Sequence, residues 1–292
     1  MLLAAWRHSV ISPSPTTRLA GMLTQLGLYK LLGENPERTW PVARATVRPI
    51  ARLICPSYGY GRDRMPENGA LVVAVNHFSE IDPVIVGLQS MRTLYFMAKI
   101  ELLRVPIAGE LLRWTGAFAV RRGEGDRDSL RVARWALENG HAVGVFTEGT
   151  RQRVGHPGPM HAGAAMLAIQ EGVPIVPAGL DTFGWSLRNR RRSCIVWGEP
   201  FELDLPRNGK GYKEGTVVVQ ERVTDLWRQA AQAVADGFPK VLANGLRRHG
   251  TVRPRNSIIH PELPTWPTEE WAAEPLGPVY RAKRDYTAVT KT

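Results

Sequence analysis

The sequence predicts an α/β fold: a mixed, partly parallel sheet flanked by helices, preceded by a basic amphipathic helical segment. Two observations predict it. Beyond Gly69, short apolar runs alternate with longer amphipathic stretches, and glycines stop two of those stretches just before the next apolar run (Asn139-Gly140 and Glu171-Gly172). The segment in front has a different composition, rich in arginine.

Residues 1–65 carry nine Lys/Arg against three acids. Leu19, Met22, Leu23, Leu26 and Tyr29 follow helical spacing and make one apolar stripe. A second segment puts Val42, Val47, Ile50 and Ile54 on one side, with Arg44, Arg48 and Arg52 every four residues on another. Pro49 is expected to kink or shorten that helix. Basic amphipathic segments of this kind lie in membrane interfaces, or pack as ordinary helices on a core. From 66 to 240, apolar runs at 70–75, 94–97, 117–120, 142–146, 175–180 and 193–197 have strand length. The stretches 101–114, 126–139, 161–171 and 213–236 have helical length. Residues 241–292 are proline-rich without a usable period and read as an extended tail, in which Trp266 and Trp271 could dock on the body or on a membrane.

Composition bounds the function. A chain of 292 residues can bury a substantial core. Two cysteines make no disulfide framework and no metal spacing, which suits a reducing environment. The net charge of +11 points to nucleic acid, an anionic membrane or an acidic substrate as partner. No apolar run reaches the roughly 18 residues that span a bilayer, and the N-terminus lacks the pattern of a signal peptide. A peripheral protein on the cytoplasmic face of the membrane is therefore expected.

The chemistry gathers at strand ends. "VVAVNHFSEIDP" delivers Asn76 and His77 at the end of an apolar run, with Ser79 close behind and Asp82 at the start of the next helix. A histidine held this way can act as a general base, and an acid five residues on can accept its ring N–H and fix the tautomer. No serine or cysteine nucleophile is obvious nearby, which suits a reaction in which the substrate itself brings the attacking hydroxyl. "GAFAVRR" holds Gly116 and Phe118 and ends at Arg122; "VFTEGTRQ" ends in Glu148, Gly149, Thr150 and Arg151. Strand ends of an α/β sheet share one edge. There Arg122 and Arg151 could fork onto a phosphate, with the amides of Gly149 and Thr150 adding donors. "VPIVPAGL", with Pro177, frames a further strand between two prolines.

The order of these four stretches resembles the glycerophospholipid acyltransferases, in particular the 1-acyl-glycerol-3-phosphate acyltransferases. "NHFSEID", "GAFAVRR", "FTEGTR" and "VPIVPAG" are similar to that family's four blocks, over about residues 66–200. The resemblance implies that His77, oriented by Asp82, deprotonates the lysophosphatidate hydroxyl, which attacks an acyl thioester without an acyl-enzyme. It implies that Arg122, Glu148, Gly149, Thr150 and Arg151 shape the glycerol-phosphate site and that Pro177 belongs to a block associated with the acyl donor. Acyl-CoA or acyl carrier protein would be the co-substrate, with no resident cofactor and no metal. The N-terminal segment is similar to the family's membrane-docking helices. Thr147 departs from the pattern, standing where the family has proline. So does the region of Met160 and His161, where a basic residue is common.

Other readings meet specific obstacles. The G-x-S-x-G of serine hydrolases is missing, since Gly184-Trp185-Ser186 lacks the second glycine. Dinucleotide and phosphate-loop fingerprints are missing as well. His156 and His161 have no further close ligands in sequence. A nucleic-acid binder could use the run "RNRRR" at 188–192, yet would leave the four ordered stretches unexplained. Nucleic acid is accordingly not expected as a partner. Another lipid or glycolipid acceptor remains the alternative within the same chemistry.

Overall fold

In the computed structural model, which describes residues 36–99, 117–120 and 127–249, helix α1 (Pro36–Ile54) leads into strand β1 (Ser57–Tyr60). There follow β2 (Leu71–Val75), α2 (Asp82–Gln89), β3 (Leu94–Lys99), β4 (Ala117–Val120), α3 (Arg127–Glu138) and β5 (Ala142–Phe146). The chain continues through α4 (Gly163–Glu171), β6 (Ile175–Asp181), β7 (Ser193–Trp197), α5 (Gly209–Ala235) and β8 (Arg248–His249). The strands form one sheet in the order β4-β3-β5-β2-β6-β7-β1-β8. The first five in that order run parallel, β7 is antiparallel to β6, β1 is parallel to β7, and β8 closes the edge antiparallel to β1. The predicted mixed, partly parallel sheet is what forms.

Strand β2 shows why the sheet is covered on both sides. All five of its residues are buried, the mark of a central parallel strand with elements on each face. Val72 and Ala74 point into a core shared with Val132 and Ala133 of α3, Ala164 and Leu167 of α4, and Val219 and Val223 of α5. Leu71, Val73 and Val75 point the other way, toward Ile85 and Val86 of α2, with Ile195 and Trp197 of β7. Each face thus collects alternate residues of one strand. Helix α5 lies directly on the backbone of β6. A Cβ added to Gly179 would come within 2.0 Å of the Trp227 amide nitrogen, so only glycine fits there.

Three expectations need correction. Pro49 does not shorten the helix, which runs on to Ile54 with Pro41 and Pro49 inside it. Pro49 and Ala45, whose carbonyl it leaves unbonded, both lie on the exposed side, where water can serve that carbonyl. The faces of α1 also differ from the simple stripe. Arg44 is buried and donates to the Leu88 carbonyl at 2.6 Å, while Ile50 and Leu53 are 61% and 66% exposed. Burial, aided by Arg62 and Arg48, lowers the Arg44 pKa to about 9. Lastly, the sheet extends past the expected 66–240 limits, because β1 and β8 add to it at one edge. A four-residue strand reading "SYGY" and a two-residue one are too short to show a period. The 19–29 stripe, the 101–114 helix, Gly116, Arg122 and residues 250–292 with Trp266 and Trp271 lie outside the described residues.

Candidate active site

Because β2, β5 and β6 are parallel neighbours, their C-terminal ends open on one edge of the sheet. That edge receives His77 after β2, the 147–151 turn after β5, and Thr182 after β6. Asn76 fixes the spacing between two of these ends. Its side chain donates to the Leu180 carbonyl and accepts from the Leu180 amide, both at 2.8 Å, extending the ladder by one rung.

The centre of the edge is Asp82, the first residue of α2 and fully buried. Its Oδ2 faces His77 Nδ1 at 2.8 Å and accepts from the amides of Phe78 at 2.6 Å and Ser79 at 2.9 Å. Its Oδ1 accepts from the Ser79 hydroxyl at 2.8 Å and from the Thr182 hydroxyl at 2.6 Å. With donors at both oxygens and the N-terminal end of a helix beneath it, the Asp82 side chain is fixed in orientation. An Oδ2 that already accepts two amides is an acceptor toward the imidazole too, so Nδ1 carries the proton and Nε2 keeps its lone pair. The ring is fixed from another side by stacking on Phe146, centroids 4.2 Å apart and planes 25° apart. The His77 side chain remains 14% exposed, so it is reachable.

The turn after β5 behaves differently from the simple phosphate cradle. Glu148 is 1% exposed, and neither carboxylate oxygen makes a regular hydrogen bond among the described residues. Burial pushes its pKa up to about 8, against the weaker pull of the nearby amides of Glu148 itself, Gly158 and His77. It is thus largely neutral at pH 7 and sits under the site instead of open to a phosphate. Gly149 takes a left-handed φ of 63° and spends its amide on the Phe146 carbonyl at 3.0 Å, so it is no free donor. Thr150 and Arg151 are exposed, and Arg151 pairs with Glu80 at the mouth. An exposed pair of this kind is weak and readily exchanged for an anion. Thr147 donates its amide to the Val75 carbonyl at 3.0 Å, a bond that a proline could not make. His161, exposed, lies over Gly149, 3.1 Å from where a Cβ would be.

Of the other expected residues, Ser79 belongs to the Asp82 network. Pro177 sits inside β6 opposite Ala74, three residues before His77, and its carbonyl accepts from the Gly198 amide at 2.8 Å. It therefore shapes the sheet and does not reach the edge. Phe118 pairs in register with Met97 in β4, the outermost strand on that side. The sequence reading missed Thr182, Glu80 and Phe146. Only Phe146 left a trace, as the last apolar residue before the turn.

Residues 59–181 match the family model described as Acyltransferase. Residues 59–181 are an acyltransferase domain. The matched span contains Asn76, His77, Asp82, the 147–151 turn and all of β6. The 1-acyl-sn-glycerol-3-phosphate acyltransferase of Bacillus subtilis is 28% identical over 144 residues, covering 48% of this chain and 71% of that protein. The human 1-acyl-sn-glycerol-3-phosphate acyltransferase alpha is 33% identical over 128 residues, covering 38% of this chain and 45% of that protein. This chain thus spans about two thirds of the bacterial relative and under half of the human one. The crystal structure of the 1-acyl-sn-glycerophosphate (LPA) acyltransferase of Thermotoga maritima superposes with a TM-score of 0.54. At 21% identity, over 72% of this chain and 88% of that one, it shows the shared fold. Among the described residues of the acyltransferase domain and its flanks, no helix is long and apolar enough to cross a membrane.

Proposed function

We propose that this protein moves an acyl chain from an acyl thioester, acyl-CoA or acyl carrier protein, to the free hydroxyl of 1-acyl-glycerol-3-phosphate, giving phosphatidate. The observation that carries the reading is the His77 ring held through Nδ1 by a buried Asp82, with Nε2 left as the basic atom and no serine, threonine or cysteine side chain bonded to it among the described residues. The names of the matched relatives support the acceptor. In the reaction, Nε2 takes the hydroxyl proton while the oxygen attacks the thioester carbonyl. The tetrahedral intermediate collapses, the C–S bond breaks, and the proton passes from His77 to the leaving thiolate. Asp82 stays ionised throughout and stabilises the transient imidazolium. Arg151 exchanges Glu80 for the acceptor's phosphate, together with Arg122. The basic amphipathic 1–65 segment keeps the protein on an anionic membrane, at its cytoplasmic face, from which the lysolipid is drawn.

The test is to incubate the purified chain with a panel of lysolipids and acyl thioesters and to identify the products by mass. Phosphatidate formed from lysophosphatidate is expected, and His77→Ala should lower turnover about 100-fold or more. Product from a different lysolipid alone would reassign the acceptor. Wild-type turnover in a folded His77→Ala variant would remove the base from the mechanism.

A further inference from the structure

Three of the six large apolar side chains that stand exposed among the described residues lie on two segments that are hydrogen-bonded to each other. Ile50 is 61% exposed, Leu53 66% and Leu187 66%. The first two lie at the end of α1 and the third on the loop between β6 and β7. The two segments are joined: the Trp185 indole N–H donates to the Ile54 carbonyl at 3.2 Å, and the Ser193 amide donates to the Pro56 carbonyl at 3.0 Å.

Topology puts this junction on the edge that carries His77. β7 runs antiparallel to β6, with Asp181 opposite Cys194, so β7 begins where β6 ends. β1 is parallel to β7, with Ser57 opposite Ser193, so the end of α1 arrives there too. Moving along the edge one meets, in turn, the 147–151 turn, His77, Thr182, the β6–β7 loop and the end of α1.

The charge is of one sign. Residues 44–56 and 182–192 contain seven arginines and no aspartate or glutamate. Arg44 is turned inward, and Arg191 is engaged by Asp181 at 3.1 Å and by the Phe183 carbonyl. Arg52, Arg188, Arg190 and Arg192 are exposed. The loop is built to hold them out. The Asn189 side chain accepts from the amides of Ser186 at 3.0 Å and Arg191 at 3.1 Å, and donates to the Gly184 carbonyl at 2.6 Å. Arg190 accepts a left-handed φ of 46°, a conformation that costs a non-glycine residue free energy.

We propose that the end of α1 and the β6–β7 loop together form a docking surface for an anionic lipid bilayer, with Ile50, Leu53 and Leu187 entering the interface and Arg188, Arg190 and Arg192 meeting the headgroups. Exposed apolar side chains on the same two segments as exposed arginines, with no acid in either segment, match a surface that is apolar below and negative above. The proposal deepens the membrane reading above and rests on it only for the lipid that is then taken up. It assigns the body of the enzyme, and not just the N-terminal segment, a part in docking. It also turns the His77 edge toward the bilayer, so that a lysolipid need not cross water to reach the base.

The full chain should float with vesicles of equal parts phosphatidylglycerol and phosphatidylcholine, and much less with phosphatidylcholine alone. The triple variant Arg188→Gln, Arg190→Gln, Arg192→Gln should bind the anionic vesicles about tenfold or more weakly. Ile50→Asp with Leu53→Asp, and separately Leu187→Asp, should weaken binding to them as well. All these positions are exposed, so unchanged melting temperatures are expected and serve as the folding control. A polarity-sensitive dye on Leu187→Cys should shift to the blue on adding anionic vesicles, since the native Cys55 and Cys194 are buried and unlabelled. Wild-type binding by the folded patch variants, a dye that stays in water on vesicles that bind the protein, or an arginine loop that binds RNA and not vesicles would each overturn the proposal. Acyl transfer to a short lysolipid dissolved without vesicles should be the same in the patch variants as in wild type. If no acyl transfer is seen in any variant while the dye still enters the bilayer, the reaction proposed above fails and the docking surface stands.

Discussion

Two buried carboxylates lie at neighbouring strand ends of the same sheet, and they have opposite characters. Asp82, after β2, is 0% exposed and receives donors at both oxygens. Glu148, after β5, is 1% exposed and receives none of regular geometry. Burial is the same; the supply of hydrogen bonds is not. Removing a carboxylate from water disfavours its charge, and only donors aimed at it restore the charge. The site thus keeps a fully hydrogen-bonded acid beside the histidine and a largely neutral one at the neighbouring strand end, a division of labour set by neighbouring amides and hydroxyls.

The comparison can be broken most severely at Asp82. Asp82→Asn keeps the shape but offers an amide where the imidazole needs an acceptor, so turnover should fall by about 10²–10⁴-fold with little change in apparent substrate affinity. Steady-state kinetics on the folded variant check this, and turnover within a few-fold of wild type would exclude the orienting role. Next comes Arg151→Lys, which keeps the charge and loses the planar fork. Its apparent affinity for lysophosphatidate should weaken about tenfold, and that for the acyl donor should not change; equal weakening of both would place the phosphate elsewhere. Thr182→Val removes one of the donors at Oδ1 and nothing else. A loss of about 1 kcal/mol is expected, read as a several-fold drop in kcat and a displaced pH–rate profile, with partial rescue by Thr182→Ser.

The smallest effect on rate, and the sharpest test of the contrast, is at Glu148. Its folded pKa of about 8 lies above the unfolded value near 4.5. Between those values the folded state holds a proton that the unfolded state has lost, so stability falls as pH rises through the window. Glu148→Gln is neutral at every pH and removes that slope. Its melting temperature should match wild type near pH 4 and exceed it increasingly up to pH 8, by an amount on the order of a few kcal/mol in stability. Activity at pH 7 should remain within about threefold, whereas Glu148→Ala, which opens a hole, should lose more. Parallel melting curves against pH for wild type and Glu148→Gln would mean that Glu148 is ionised after all.

How much of this was legible beforehand follows from the range of the interactions involved. Strands 117–120, 142–146 and 193–197 are legible to the residue, because each is a mainly apolar run that stops at glycine, a charge or another polar side chain. His77 and Asp82 were legible as a pair because five residues and a helix start bring them together. Thr182 was not, since it meets Asp82 across 100 residues and looks in sequence like any threonine before a loop. The charge state of Glu148 was hidden for the same reason: a glutamate in "TEGTR" reads as a surface acid until the strands around it are folded. Helix α1 misled differently. Its spacing was read correctly, but which face turns inward was decided by a carbonyl on α2 that accepts from Arg44.

The position of β1 carries a consequence for how the molecule is made. Made before the rest of the sheet, it pairs only with strands made much later, β7 and β8, and Cys55 touches Ser193 across 138 residues of chain. A ribosome adding roughly 5–20 residues per second needs on the order of ten seconds to cover that gap. Throughout it, α1 has no completed sheet to anchor it, and its exposed Ile50 and Leu53 can meet whatever surface lies near. The nascent chain is therefore sticky first and ordered later, so its delivery to a surface can precede the closure of its own sheet.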